Sequence, residues 1–336
     1  ILNCVSNGGA TQFYDGTNTK GVDFFEGRGN TGLELGNNSG TGNGFIFKLT
    51  GAPNTQYNTN IHDNTFSLYQ FDGLDWFCRV VGLQFDRNIL YNRLGSNYEG
   101  NVNGFTGNHP DFVQGSTSGT TEPSSNIRIR DNTLVSLRGA FSQGIFNNDE
   151  AHLNPGYLDY EVTGNVVITD SFHGITLRSI DGGKIANNLV LMDEFASHTD
   201  DPTYAADGSD NTKPFILISP ISSGNFPTDV KNVIVQDNIS EAYSGLSTPG
   251  VTASNNTTLV RENTDTEFSL IRWFPQYQSW TSIDQILALK LPVGFGPIRL
   301  QDPNYSLPPI GNPNGLTNDA GSNLTTDAGT LLTTGA

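Results

Sequence analysis

The stretch Asn108-His109-Pro110-Asp111-Phe112-Val113-Gln114 places a histidine, a carboxylate and an amide within seven residues. An acid–base site needs a proton acceptor, a proton donor and a group that stabilises developing negative charge. His109 and, further on, His173 are side chains that exchange protons near neutral pH. Arg178 supplies a planar fork suited to a substrate carboxylate. Asp111, Asp149 and Glu150 are the neighbouring carboxylates. Two carboxylates facing each other across a sugar would make a glycosidase, and their separation would set its stereochemistry.

Four segments share one apolar centre and carry these residues: Asp111-Phe112-Val113-Gln114, Gln143-Gly144-Ile145-Phe146, His173-Gly174-Ile175-Thr176 and Pro214-Phe215-Ile216-Leu217. Stacking Val113, Ile145, Ile175 and Ile216 inward puts Asp111, Gln143 and His173 in one column. Gln114, Phe146 and Thr176 form the next outward column, and Ser116, Asn148 and Arg178 lie three residues beyond the apolar centre. Strands about 4.8 Å apart would let such side chains share one ligand. The expected catalytic set is therefore His109, Asp111, His173 and Arg178, with Gln114, Gln143, Asn148, Asp149 and Glu150 as substrate contacts. Local chemistry offers plainer roles: a His-Pro-Asp turn, a corner histidine at 173, and a surface pair between Arg178 and Asp181.

The alignment rests on a recurring motif: apolar, any, small or polar, Asn, any, apolar. It occurs around Asn64, Asn88, Asn132, Asn165, Asn188 and Asn238. Asn64 to Asn88 is 24 residues and Asn165 to Asn188 is 23; Asn88 to Asn132 is 44, close to two such units. The intervals of 33 (Asn132 to Asn165) and 50 (Asn188 to Asn238) read as units carrying inserted loops. A period in the low twenties is one coil of a parallel β-solenoid. An Asn at each corner can bond to the coils above and below, where water reaches poorly.

These repeats, over roughly residues 40 to 260, resemble the right-handed parallel β-helix superfamily, the pectate-lyase-like fold. The resemblance implies an all-β, right-handed parallel β-helix with a mixed C-terminal cap. It also implies the chemistries the superfamily hosts: polysaccharide lyases and hydrolases, mannuronan epimerases and phage tailspikes. His109-Pro110-Asp111 holds the residues of the epimerase Asp-Pro-His motif in permuted order, so no role carries over from it. For the lyase branch that uses a catalytic Lys or Arg beside calcium, Lys184 and Lys213 are the nearest lysines. An acidic loop containing Asp207 and Asp210 offers the oxygen ligands calcium takes, at a spacing that matches no EF-hand. No other cofactor is called for. Tyr157, Tyr160, Tyr204 and Trp76 are aromatics that could stack on sugar rings.

Composition narrows the partners. The 336 residues carry a formal charge of −17, with 38 Gly and only 15% charged residues. No Lys/Arg cluster exists to replace counterions, which argues against nucleic acid and against an anionic membrane surface. Phe (20) and Tyr (11) supply core material, so the chain is not compositionally disordered. Cys4 and Cys78 fall in different repeats and read as buried free thiols. No apolar run of about 18 residues would span a membrane, and no signal peptide is visible. Ile1 suggests processing or a longer parent chain.

Three segments are expected: a β-helix over 1–261, a capping segment over 262–314, and a Thr-rich tail over 315–336. Trp280 to Lys290 reads as a short helix capped by Thr281 or Ser282, with Ile283, Ile286 and Leu287 on one side and Lys290 in its last turn. The segment from 262 to 310 would cover the open solenoid end. The tail resembles the ends of some phage tail proteins. The resulting expectation is a polysaccharide-binding and polysaccharide-cleaving protein, carried on a phage tailspike or tail fibre as an extracellular or virion homotrimer. A secreted monomeric lyase or epimerase and a non-catalytic adhesin are the alternatives.

Overall fold

A computed structural model describes residues 2, 4–7, 22–28, 32–41, 45–50, 55–67, 72–91, 111–116, 121–136, 142–147, 156–169, 171–192, 213–220, 230–260, 266–277 and 280–307. Its strands stack into three parallel sheets of nine, eight and eight strands, a right-handed parallel β-helix. One coil runs Leu74–Phe77, Arg79–Asp86, Ile89–Tyr91, and the next runs Asp111–Ser116, Ser124–Arg130, Thr133–Val135. The first sheet ends each coil (Ile89–Tyr91 and its equivalents), the second starts it (Leu74–Phe77), and the third is the middle face (Arg79–Asp86).

The interior is built from rows of like residues one coil apart. On the third sheet Leu35, Ile61, Phe85, Ile129, Val162, Ile185 and Val235 stand in continuous register. On the second sheet Phe47, Leu74, Val113, Ile145, Ile175 and Ile216 do the same. All of these side chains are buried in one core cluster. Stacking similar apolar groups leaves no ridge to misfit the coil above, so the register is held by packing as well as by backbone bonds.

The Asn motif is the corner between the third and first sheets. The Asn88 side-chain oxygen accepts from the backbone N–H (3.1 Å) and the amide (2.8 Å) of Asn64, while its own amide donates to the Ile61 carbonyl at 3.0 Å. The same three bonds repeat at Asn132, Asn165, Asn188 and Asn238. The ladder runs one rung further at each end than the repeat motif predicts, to Asn38 and Asn256. The residue before each ladder Asn is left-handed: Asn37, Asp63, Arg87, Asp131, Gly164, Asn187, Asp237 and Asn255, with φ between 52° and 70°.

A second left-handed column lies five residues upstream, at Gly32, Asn58, Gly82, Asn126, Asp159, Gly182, Asn232 and Gly250. It bends the long third-sheet strands at one common point. Every member is Gly, Asn or Asp, the residues that tolerate this backbone.

Residues 266–307 pack against the outer face of the first sheet. Val135, Val166, Ile168, Leu189, Leu191 and Ile239 point out of the solenoid and join Leu270, Trp273, Phe274, Trp280, Ile286 and Leu300 in a second core. The expected cover over the open end is instead a cover over the flank; the last third-sheet strand, Val251–Ser254, stays largely exposed. Arg299 fastens it by donating to the Asn132 carbonyl (3.0 Å) and the Thr133 hydroxyl (2.9 Å). The expected helix is Ile283–Leu287, with Gln285 accepting from the N–H of Ser282 at 3.1 Å and of Thr281 at 2.7 Å. Ile286 is its buried residue, whereas Leu287 faces solvent and Lys290 lies beyond its end. The tail over 315–336 lies outside the described residues.

Candidate functional site on the outer face of the second sheet

The second sheet alternates core residues with residues that point outward, and chemistry concentrates on its outer face and at the corner where its strands begin. Asp111 pairs with Gln143 across neighbouring coils, and Gln114 pairs with Phe146, which pairs with Thr176. Asp111 with Gln143, and Gln114 with Phe146 and Thr176, are thus real neighbours, while the column through Asn148 lies partly outside the described residues. His173 stands beside this column, with its ring 4.8 Å from that of Phe146. Its Nδ1 lies 2.8 Å from the Thr176 hydroxyl, which fixes both side chains on one face.

A bulge shapes this corner. The pairing of His173–Arg178 with Phe215–Ser219 shifts between His173 and Ile175. Bulges of this kind re-aim side chains. Gly174 sits at the shift, where a β-carbon would come within 2.3 Å of Val190. One coil before, a β-carbon on Gly144 would come within 1.9 Å of the Gly174 carbonyl. Gly144 is therefore required by close backbone approach, and Gly174 by the packing of Val190 against it.

Access differs along this face. Asp111, Gln114 and Gln143 are buried, and Asp111 is anchored through its N–H to Asp72 Oδ1 at 2.7 Å. His173, Arg178, Phe215, Leu217 and Ser219 are half-buried, so the face is open over its later coils. Arg178 stands five residues along the strand from His173, about 16 Å away. The structure therefore gathers Asp111, Gln143 and His173 at the strand's start and leaves Arg178 at its far end. Arg178 makes no ion pair with a described residue, so the expected alternative of a surface pair with Asp181 is not formed. Asp181 instead accepts from the Asn232 amide at 3.0 Å.

Three polar atoms here have no hydrogen-bond partner among the described residues: Gln143 Oε1, Ser116 Oγ and Arg178 Nε. Leaving such an atom buried and unpaired costs about 1–3 kcal/mol.

One pair escaped sequence reasoning. Lys48 and Asp75 are neighbours on this same face, with the ammonium 3.5 Å from the carboxylate and both side chains almost fully buried. The alternating burst Phe45-Ile46-Phe47-Lys48-Leu49 carried the signal, but its partner strand could not be placed without the register of Leu74–Phe77. Lys184 and Lys213, the lysines expected nearest the site, are both solvent-exposed, and Lys184 belongs to the third sheet.

The aromatics proposed for sugar stacking lie elsewhere. Trp76, Tyr157 and Tyr160 are sealed in the solenoid interior, where Tyr157 donates to the Gly115 carbonyl at 3.0 Å and burial pushes the Tyr160 hydroxyl well up. Both cysteines are free; Cys78 is buried, and desolvation raises its thiol to about 12, while Cys4 is half-buried. His109, Asn148, Asp149, Glu150, Tyr204 and the loop holding Asp207 and Asp210 lie outside the described residues. Among the described residues no group of His, Cys, Asp and Glu is placed to hold a metal ion. None of their helices is long and apolar enough to cross a membrane.

Fold and site together define a right-handed parallel β-helix with a partly enclosed polar face on its second sheet. No protein-family model, curated protein or solved structure matches the chain.

Proposed function

We propose that this chain binds a polysaccharide along the outer face of the second sheet and cleaves it there, with His173 as the proton-transfer group. The observation that carries the reading is the set of polar atoms left without partners among the described residues, Gln143 Oε1, Ser116 Oγ and Arg178 Nε. They lie on successive coils of one sheet, which suits an extended ligand. A formal charge of −17 argues against a nucleic acid as that polymer. It also favours a neutral glycan, or an acidic one bridged by a cation. In this reading Asp111 and Gln143 position the site from beneath, His173 meets the ligand, and Arg178 holds an acceptor oxygen at the far rim. The carrier we favour is an extracellular or virion tailspike-like homotrimer, on the resemblance of the repeats.

Incubating the full chain with bacterial and algal polysaccharides, with and without calcium, tests the reaction. New reducing ends signal hydrolysis, and ultraviolet absorbance signals an unsaturated lyase product. His173→Ala should abolish either while leaving the fold intact. Binding without any product would favour the adhesin reading, and sedimentation as a monomer would sink the trimer.

A further inference from the structure

The Asn ladder reaches Asn256 with bonds unmade. At each earlier rung the Asn N–H and one of its amide hydrogens converge on the side-chain oxygen of the next Asn, as those of Asn188 do on Asn238 at 3.0 and 2.9 Å. The residue before the Asn donates its N–H to the next coil, as Asp237 does to the Ser254 carbonyl at 3.2 Å. The Asn carbonyl accepts from that coil, as that of Asn238 does from the Thr257 N–H at 2.8 Å. Asn256 itself accepts from Asn238 and donates one amide hydrogen to the Val235 carbonyl at 2.8 Å. Its N–H, its second amide hydrogen, its carbonyl and the Asn255 N–H have no partner among the described residues. Asn256 is half-buried, and Ala253, which continues the inward row beyond Val235, is exposed. This edge fits one more strand, parallel and extended, with a side-chain carbonyl at the Asn position.

We infer that residues 320–325 of this same chain dock on that edge, with Asn323 as the next rung. The segment Ala320-Gly321-Ser322-Asn323-Leu324-Thr325 matches Ala253-Ser254-Asn255-Asn256-Thr257-Thr258 position by position. Of the four asparagines after residue 307, only Asn323 has alanine three residues before it and threonine two after it, as Asn256 has. Ser322 falls at the left-handed position, a backbone that Ser179 adopts in this protein with φ 56°. In this docking Asn323 Oδ1 accepts from the Asn256 N–H and amide, and the Asn255 N–H donates to the Gly321 carbonyl. The Leu324 N–H donates to the Asn256 carbonyl, and Ala320 covers Ala253. The reach is sufficient. Leu307 packs on the flank cluster, which runs from Tyr91 to Leu259. That is five coil steps along the ladder, about 24 Å. Residues 308–319 span about 40 Å when extended. The following unit, 327–334, has Leu331 where Asn323 stands, so it brings no further rung. Docking closes an edge that would otherwise template pairing between copies.

Amide hydrogen exchange of the full chain, read residue by residue by NMR, tests this independently of any glycan. The Asn256 amide should exchange about tenfold or more slowly in the wild type than in Asn323→Leu, which removes the acceptor. Asn318→Leu, a change elsewhere in the same tail, should leave the wild-type protection in place. The Leu324 amide should be protected together with that of Asn256. Equal exchange of Asn256 in the wild type and Asn323→Leu, or an unprotected Leu324 amide, would overturn the docking. Protection that rises with protein concentration, with a dimer in sedimentation, would put a second copy's tail on the edge and overturn docking within one chain.

Discussion

Single residues carry the corner chemistry of this solenoid, and their contributions are not equal. Asn165 accepts two bonds from Asn132 and donates to Ile129 and to Asn188, all inside the protein. Asn165→Ala should destabilise the fold by on the order of 2–4 kcal/mol, because partners on both sides are left unsatisfied without water. Asn256 is the last rung and only part-buried, so Asn256→Ala should lose on the order of 1 kcal/mol. Urea unfolding of the two variants checks the difference. At the outer corner Asp63 takes a two-pronged bond from Arg87, at 2.7 Å to each oxygen. That bond, helped by His62, holds its carboxyl down at about 2 against an ordinary 3.8. A depressed carboxylate stabilises the fold above its unfolded value and loses that contribution as pH falls through about 2. Arg87→Met should return Asp63 toward 3.8 in a carbon-detected NMR titration and flatten the acid limb of the stability curve. The ladder was legible residue by residue, because an Asn held between apolar positions and recurring at intervals of 23 and 24 marks the same corner of successive coils. The left-handed column five residues upstream was not, since Gly, Asn and Asp there look like ordinary turn residues until the coils are stacked.

Elements set which faces are hidden. The first sheet has apolar residues on both sides, and a solenoid face of that kind needs a cover. Residues 266–307 provide it, with Trp273 and Trp280 in one buried cluster with Val166, Leu189 and their neighbours. Arg299→Met should loosen this flank by about 1–3 kcal/mol by removing its bonds to Asn132 and Thr133. Hydrogen exchange should then quicken in Leu270–Trp273 and Ile283–Leu287 before it does in the coils. Sequence reasoning found the helix from local pattern alone and left its cap between Thr281 and Ser282, of which Ser282 takes the place. It placed the segment over the open end because periodicity inside one coil does not reveal which outer face is apolar. The doubled row Val166/Ile168 and Leu189/Leu191, flanking inward Val167 and Val190, was the readable sign. The second sheet shows the opposite case. There the aligned columns foretold Asp111 beside Gln143 and Gln114 beside Phe146, because register follows directly from the apolar row.

At the scale of the whole molecule, the coil stack turns a short sequence motif into an extended surface. The third sheet presents paired charges, such as Arg128 with Asp159 at 2.7 Å and with Glu161 at 3.2 Å. Its polar groups largely satisfy one another. The second sheet keeps buried polar atoms without partners among the described residues, and half-buried rings on its later coils. Composition argues against nucleic acid, but it could not tell these two faces apart, since both alternate polar with apolar residues. The most direct measurement is amide hydrogen exchange of the full chain with and without a polysaccharide it retains. Binding on the proposed face predicts added protection in Gln143–Asn147, His173–Arg178 and Phe215–Ser219, and none in Ser124–Arg130 or Tyr157–Thr163. Protection confined to the third sheet, or no change on the second, would contradict it.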